Sequence, residues 1–187
     1  ILQPHQDRLR RMVALRLDQR LQGRIDPDDV LQEAYLEAMT HLREYVEQPR
    51  MPFFLWLRGI TGNVLLALHR QHLGTLMRDA GREVALYRGS LPEASSAALA
   101  AQLLGHDTRP SEAAVRAERK ILLQQALNTM DPIDREVLAL RHFEQLSTAE
   151  VAEVLNITEA AGGKRYIRAI KRLKEVLLNM PGGWGEL

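Results

Sequence analysis

With 187 residues, a net charge of +1 and no cysteine, the chain has room for one domain or two small ones and excludes a disulfide framework, a cysteine metal site and thiol chemistry. Aromatics make up only 5 % while Leu, Ala, Arg and Glu abound, a balance that predicts an all-helical protein. No apolar run is long enough to span a bilayer and no secretory leader pattern opens the sequence, so membrane insertion is not expected and a reducing, cytoplasmic setting is. Charge is segregated: acid gathers around residues 26–37 and base around 164–174. Separate acidic and basic faces suit a protein partner on one side and DNA on the other. Chance segregation across two domains is the plain alternative.

Residues 5–24 predict one helix that Gly23 stops. Leu9, Met12, Val13, Leu15, Leu17 and Leu21 give it an apolar stripe, and its arginines are expected in solvent. Asp26 then caps a second helix, with Pro27 at its first position and Asp28 and Asp29 in the first turn, where the helix dipole favours acid. Val30, Leu31, Ala34, Ala38 and Leu42 are expected to face a core, and Asp29, Glu33 and Glu37, with Gln32 nearby, fall on the other side. Such an acidic row is either an ordinary solvated face or a docking face for a basic partner.

Met51-Pro52 breaks the chain before an aromatic cluster of Phe53, Phe54 and Trp56. Trp56, Ile60, Val64 and Leu68 share one helical stripe, which Gly59 and Gly62 weaken or bend. Arg58, Asn63, His69, Arg70, His72 and Arg78 supply donors along the same stretch. Aromatics beside basic and amide groups suit unstacked bases, although such rings are more often core. His69 and His72 lack a third ligand, so no metal site and no cofactor are assigned.

Residues 79–110 carry Gly, Pro and Ser and read as a linker, with an Ala- and Leu-rich middle at 93–104 that predicts an isolated helix. After it, Ser111 and Glu112 open a helix with Val115, Ile121, Leu122, Ala126 and Leu127 inward. Asp131-Pro132 repeats the device of cap and first-position proline, followed by Val137, Leu138, Leu140 and Phe143.

Ser147 and Glu150 form a capping box. Asn156 suits the left-handed residue that ends a helix, and Thr158 caps the next one. In that last helix Ile167, Ile170, Leu173 and Leu177 are expected to seek a core, while Lys164, Arg165, Arg168, Lys171, Arg172 and Lys174 are basic with no acid among them. A short helix, a tight turn and a longer basic helix make a helix-turn-helix, whose second helix enters a major groove. A solvated basic face is the bland alternative. The expected fold is all-α: two small helical bundles, residues 1–78 and 111–180, joined by the linker, with a tail at 181–187.

These runs resemble a bacterial RNA polymerase sigma factor of the extracytoplasmic-function (ECF) type. DPIDREVLALRHFEQLSTAEVAEVLNIT, Asp131 to Thr158, looks like the opening of the family's fourth conserved region, and Arg165 to Leu177 is similar to its basic recognition helix. Asp29-Val30-Leu31-Gln32-Glu33-Ala34 resembles the D-[LV]-x-Q-E-x run of the second region, and Pro52 to Arg70 the F-x-x-W-L-x-x-I-x-x-N pattern beyond it. The resemblance implies that 1–78 is a region 2 domain, with Asp29, Gln32, Glu33 and Glu37 docking on core polymerase. It implies that Trp56, Arg58, Asn63, His69 and Arg70 meet melted promoter DNA at the minus-ten element, Asn63 nearest a flipped base. It places Lys164, Arg165, Arg168, Lys171 and Arg172 in the minus-thirty-five groove, with an anti-sigma factor as a further partner. Two departures stand out. Ala161-Gly162-Gly163-Lys164-Arg165 replaces the usual T-V-x-S-R run, so the helix either starts late, near Gly163, or brings bare backbone to the groove. Thr61-Gly62 replaces an alanine-basic pair. No catalytic constellation is present, so no enzyme is expected; a helix-turn-helix regulator with an N-terminal sensing or dimerisation half is the alternative.

Overall fold

Apolar residues at three- and four-residue spacing become helices throughout the computed structural model, which describes residues 3–73, 91–105 and 113–179. Arg78, the linker stretches 79–90 and 106–110, the helix start at Ser111 and Glu112, and the tail at 181–187 lie outside the described residues. The chain divides into two units between Glu93 and Ala94.

In the first unit a short 3-10 turn, Gln3–His5, leads into α1, Gln6–Arg16. That helix ends about two turns before the expected stop at Gly23. Leu17 is extended, and the Asp18 carboxylate accepts from the Arg20 backbone N–H at 2.9 Å and from its guanidinium at 2.9 and 2.8 Å. Asp commonly closes such a turn on its own backbone, in competition with helix. The Arg20 hydrogen bond holds the Asp18 carboxyl down at about 2. Leu17 and Leu21 are buried all the same, and Arg16, expected in solvent, is buried with them.

Helix α2, Pro27–Glu47, starts as its residues predict: Asp26 accepts from the Asp28 N–H at 2.8 Å, with Pro27 at the first position. Val30, Leu31, Ala34 and Ala38 are buried, whereas Leu42 is half-buried. Helix α3, Phe53–Leu73, runs unbroken through both glycines. Its core side is Phe54, Leu57, Thr61, Leu65 and His69, so the expected stripe of Trp56, Ile60, Val64 and Leu68 flanks the core, half-buried. The buried Thr61 hydroxyl is satisfied by donating to Leu57 O at 2.9 Å. Gly62 is there for packing: a methyl group of Leu91 stands where a side chain at 62 would begin.

In the second unit α4, Ser96–Leu103, is no isolated linker helix. Ala97, Leu99 and Ala100 are buried, and it packs on α5, Ala113–Asn128. On α5 the buried residues are Leu123 and Leu127; Val115 and Ile121, expected inward, are exposed. Helix α6, Pro132–Leu138, is capped by Asp131, which accepts from the Ile133 N–H at 3.0 Å, and it widens into a π-type turn at Ala139–Phe143.

Helix α7, Thr148–Leu155, has the predicted capping box. Ser147 Oγ accepts from the Glu150 N–H at 3.1 Å, and Glu150 accepts from the Ser147 N–H at 2.7 Å. Asn156 takes the left-handed conformation at φ 53°. Helix α8 spans Glu159–Leu178, with Thr158 Oγ1 accepting from the Ala161 N–H at 3.2 Å. It therefore does not start late. Gly162 is buried against Ile157, Val151 and Thr148, facing α7 and not the outer surface. The core row of α8 is Gly162, Ala169 and Leu173, with Leu177 half-buried. Ile167, expected in the core, is 57 % exposed, and Ile170 is exposed too. The small residues Gly162 and Ala169 let α8 lie close on its neighbours, which turns the larger isoleucines outward.

The glycines separate in a measurable way. A Cβ at Gly162 meets only ordinary contacts of 3.8 Å or more, whereas one at Gly62 must displace Leu91. Gly162→Ala should therefore raise stability by about 0.5–1 kcal/mol from backbone entropy alone. Gly62→Ala should lose that gain to overpacking. Urea unfolding of the full chain checks this, and an equal gain at both positions would contradict the packing described.

Candidate nucleic-acid and polymerase interfaces

Asp29, Gln32, Glu33 and Glu37 are exposed on α2, at spacings that put them on one helix face. Glu37 also contacts His41 Nε2 at 3.1 Å. In the midst of this face stands Leu36, 67 % exposed, with Met39 exposed one turn on. An apolar centre with a polar rim is the anatomy of a protein-binding patch. Residue type alone missed both, because a leucine within a helix reads as core; the signal was that Leu36 falls on the Gln32–Glu33–Glu37 side and not on the Val30–Ala34–Ala38 side.

On α3 the structure sorts the predicted DNA contacts into two sets. Trp56, Asn63 and Arg70 follow one another at seven-residue intervals and share a face, Trp56 half-buried and the other two exposed. Trp56 stacks on Tyr45 at a centroid distance of 4.7 Å and lies 5.5 Å from Phe53. Tyr45 is fixed in turn by donating its hydroxyl proton to Met51 O at 2.8 Å. The cluster holds the Trp56 ring at the surface in one orientation. Arg58 and His69 are buried on the opposite side. His69 Nε2 accepts the Asp18 backbone N–H at 3.3 Å, so it closes the turn after α1 and offers no edge to a base.

On α8, Lys164, Lys171 and Arg172 are exposed, and Arg172 makes a long contact of 3.4 Å to Glu175. Arg165 and Arg168 are different. Both reach Asp134 in the first turn of α6, Arg165 through Nη1 at 2.9 Å and Arg168 through Nε and Nη2, the latter at 2.8 Å. The Asp134 side chain is only 6 % exposed. Its hydrogen bond from Arg168, above all, and that from Arg165 hold its carboxyl below the usual carboxylate range against the opposing effect of burial. Arg141 adds a further tie, lying over the Tyr166 ring at 5.3 Å and donating to Leu146 O. Among the described residues no group of three acids or histidines could hold a metal, and no helix is long and apolar enough to cross a membrane.

A capped α7, a left-handed turn and a basic α8 form a helix-turn-helix, an arrangement that suits a DNA groove, and residues 120–173 match the family model for sigma-70, region 4. The chain is 30 % identical over 154 residues to the ECF RNA polymerase sigma factor SigD of Mycobacterium tuberculosis, covering 82 % of this chain and 64 % of that relative. It is 25 % identical over 155 residues to SigW of Bacillus subtilis, covering 83 % and 77 %. In fold it resembles the sigma factor RpoE from Bartonella quintana, solved in complex with the anti-sigma factor NepR, at a TM-score of 0.51, 18 % identity and 96 % coverage of each chain. The chain is thus similar to extracytoplasmic-function sigma factors, and it spans 64 % of the length of the SigD relatives it matches.

Burial pushes the His69 imidazole below its ordinary value, opposed by the nearby Asp18 carboxylate and reinforced by Arg20. The folded chain resists a proton that the unfolded chain accepts from about pH 6.5 downward, so stability falls as pH drops through that point toward the folded value. Proton-detected titration of the histidine rings should find His69 titrating below the ordinary histidine value. A His69 that titrates at or above that value would contradict this placement.

Proposed function

We propose that the chain is a promoter-specificity subunit of bacterial RNA polymerase, acting in the cytoplasm without chemistry or cofactor of its own. The observation that carries this reading is the presence, in one chain, of a capped helix pair with a basic outer helix and, in the other unit, an acid-rimmed apolar face beside a row of Trp56, Asn63 and Arg70. The α2 face, Asp29, Gln32, Glu33 and Glu37 around Leu36 and Met39, binds core polymerase. The region 2 part within residues 1–78 then receives melted minus-ten DNA on α3. The Trp56 ring stacks on an opened base, Asn63 reads a base edge and Arg70 holds phosphate. Arg58 and His69 support that helix from beneath. The region 4 part within 111–180 lays Lys164, Arg165, Arg168, Lys171 and Arg172 in the minus-thirty-five major groove. An anti-sigma factor that covers these faces is a further partner, by analogy with the RpoE–NepR complex.

A regulator whose N-terminal half senses a ligand or dimerises would leave the Trp56–Asn63–Arg70 row without a task. Titration of labelled protein with purified core polymerase separates the two readings. The proposal expects a tight complex, and it expects Leu36→Asp, a change on an exposed site, to weaken that complex by about tenfold or more. No complex, or an affinity indifferent to Leu36→Asp, would refute the docking face.

A further inference from the structure

The Arg168 guanidinium is in an unusual position for an exposed group. Its side chain is 61 % exposed, yet Nε and Nη2 both donate to one carboxylate that is almost wholly buried. Arg165, three residues earlier on the same helix, donates to the same carboxylate. A buried carboxylate must find charged partners, and here both come from the helix proposed to enter DNA. The arrangement is costly if α8 only needs positive charge, because it neutralises part of that charge.

The geometry gives a reason. A guanidinium is a flat fork with a side edge, Nε and Nη2, and an end edge, Nη1 and the outer hydrogen of Nη2. Asp134 occupies the side edge. Among the described residues the end edge meets no hydrogen-bond acceptor, and the planar guanidinium turns it about 120° from the edge that Asp134 occupies. Two parallel donors on that edge match the O6 and N7 acceptors of guanine in the major groove. Held from behind, the arginine has little rotamer freedom left to lose on binding.

We infer that Asp134 is a positioning residue for base reading: it holds Arg168 so that its end edge reads one guanine of the upstream promoter element. Arg165 completes the carboxylate's partners and keeps it ionised between α6 and α8. This inference rests on the proposed DNA reading of α8 and adds to it a residue that never touches DNA. It also has a cost with a definite sign. An anion beside the groove weakens sequence-independent attraction to phosphate.

The test is selection of duplexes with a randomised core by the full chain, followed by binding titrations over a range of salt. The wild-type chain should select a guanine at one position. Asp134→Asn should lower that preference about tenfold, within the discrimination a bidentate arginine supplies. At the same time it should tighten binding to non-selected duplex and steepen its salt dependence. Arg168→Ala, at an exposed side chain, should lose the same preference, and the double variant should lose no more than either single one. A purely structural tie between α6 and α8 would weaken binding to every sequence alike. That result, or a guanine preference unchanged in both single variants, overturns the inference. If the wild-type chain selects no sequence at all, the proposed DNA reading of α8 fails instead.

Discussion

The attitude of α8 depends on one buried carboxylate. Asp134 lies in the first turn of α6 and is met by Arg165 and Arg168 from α8. Apolar contact alone would hold α8 weakly, since its buried row is Gly162, Ala169 and Leu173. Small residues contribute little apolar area, about 25 cal/mol for each Å² removed from water. What they supply is closeness. At Gly162 that closeness is to α7, against Ile157, Val151 and Thr148. Toward α6 the tie is charge: two arginines of α8 meet the buried Asp134 carboxylate.

The capping of α7 serves the same end from the other side. The Ser147–Glu150 box fixes where α7 begins, and Asn156 at φ 53° fixes where it stops. A turn with one left-handed residue leaves few ways for α8 to depart. In the first unit the analogous constraint is aromatic. Tyr45, tied to Met51, carries Trp56 on its ring, so the Trp56–Asn63–Arg70 row of α3 begins from a half-buried side chain that is held in place.

Much of this was legible in the residues. The caps at Asp26, Asp131 and Ser147, the left-handed Asn156 and the buried set on α2 follow from local rules, because each depends on neighbours within one helical turn. The family resemblance was legible for the same reason. What escaped was rotation. The sequence shows that α8 has an apolar period but not that Gly162 and Ala169 would win the core side from Ile167 and Ile170; that choice depends on how near α6 and α7 stand. On α3 residue type suggested Arg58 and His69 as donors for DNA, and the fold buries both. Arg16 and the early end of α1 reflect a loop whose closure involves Asp18 and His69, fifty-one residues apart, a pairing that no local rule could see. Gly162, read as a gap in the DNA face, faces α7.

We propose that the two units work as one initiation factor, one gripping polymerase and opened DNA and the other reading duplex upstream. Mapping RNA 5′ ends made from total genomic template by core polymerase, with and without the purified chain, tests it most directly. A set of new, discrete start sites that share an upstream element is expected, and these sites should be lost when Lys164, Arg168 and Lys171 are together replaced by alanine. Start sites identical to those of core polymerase alone would contradict it.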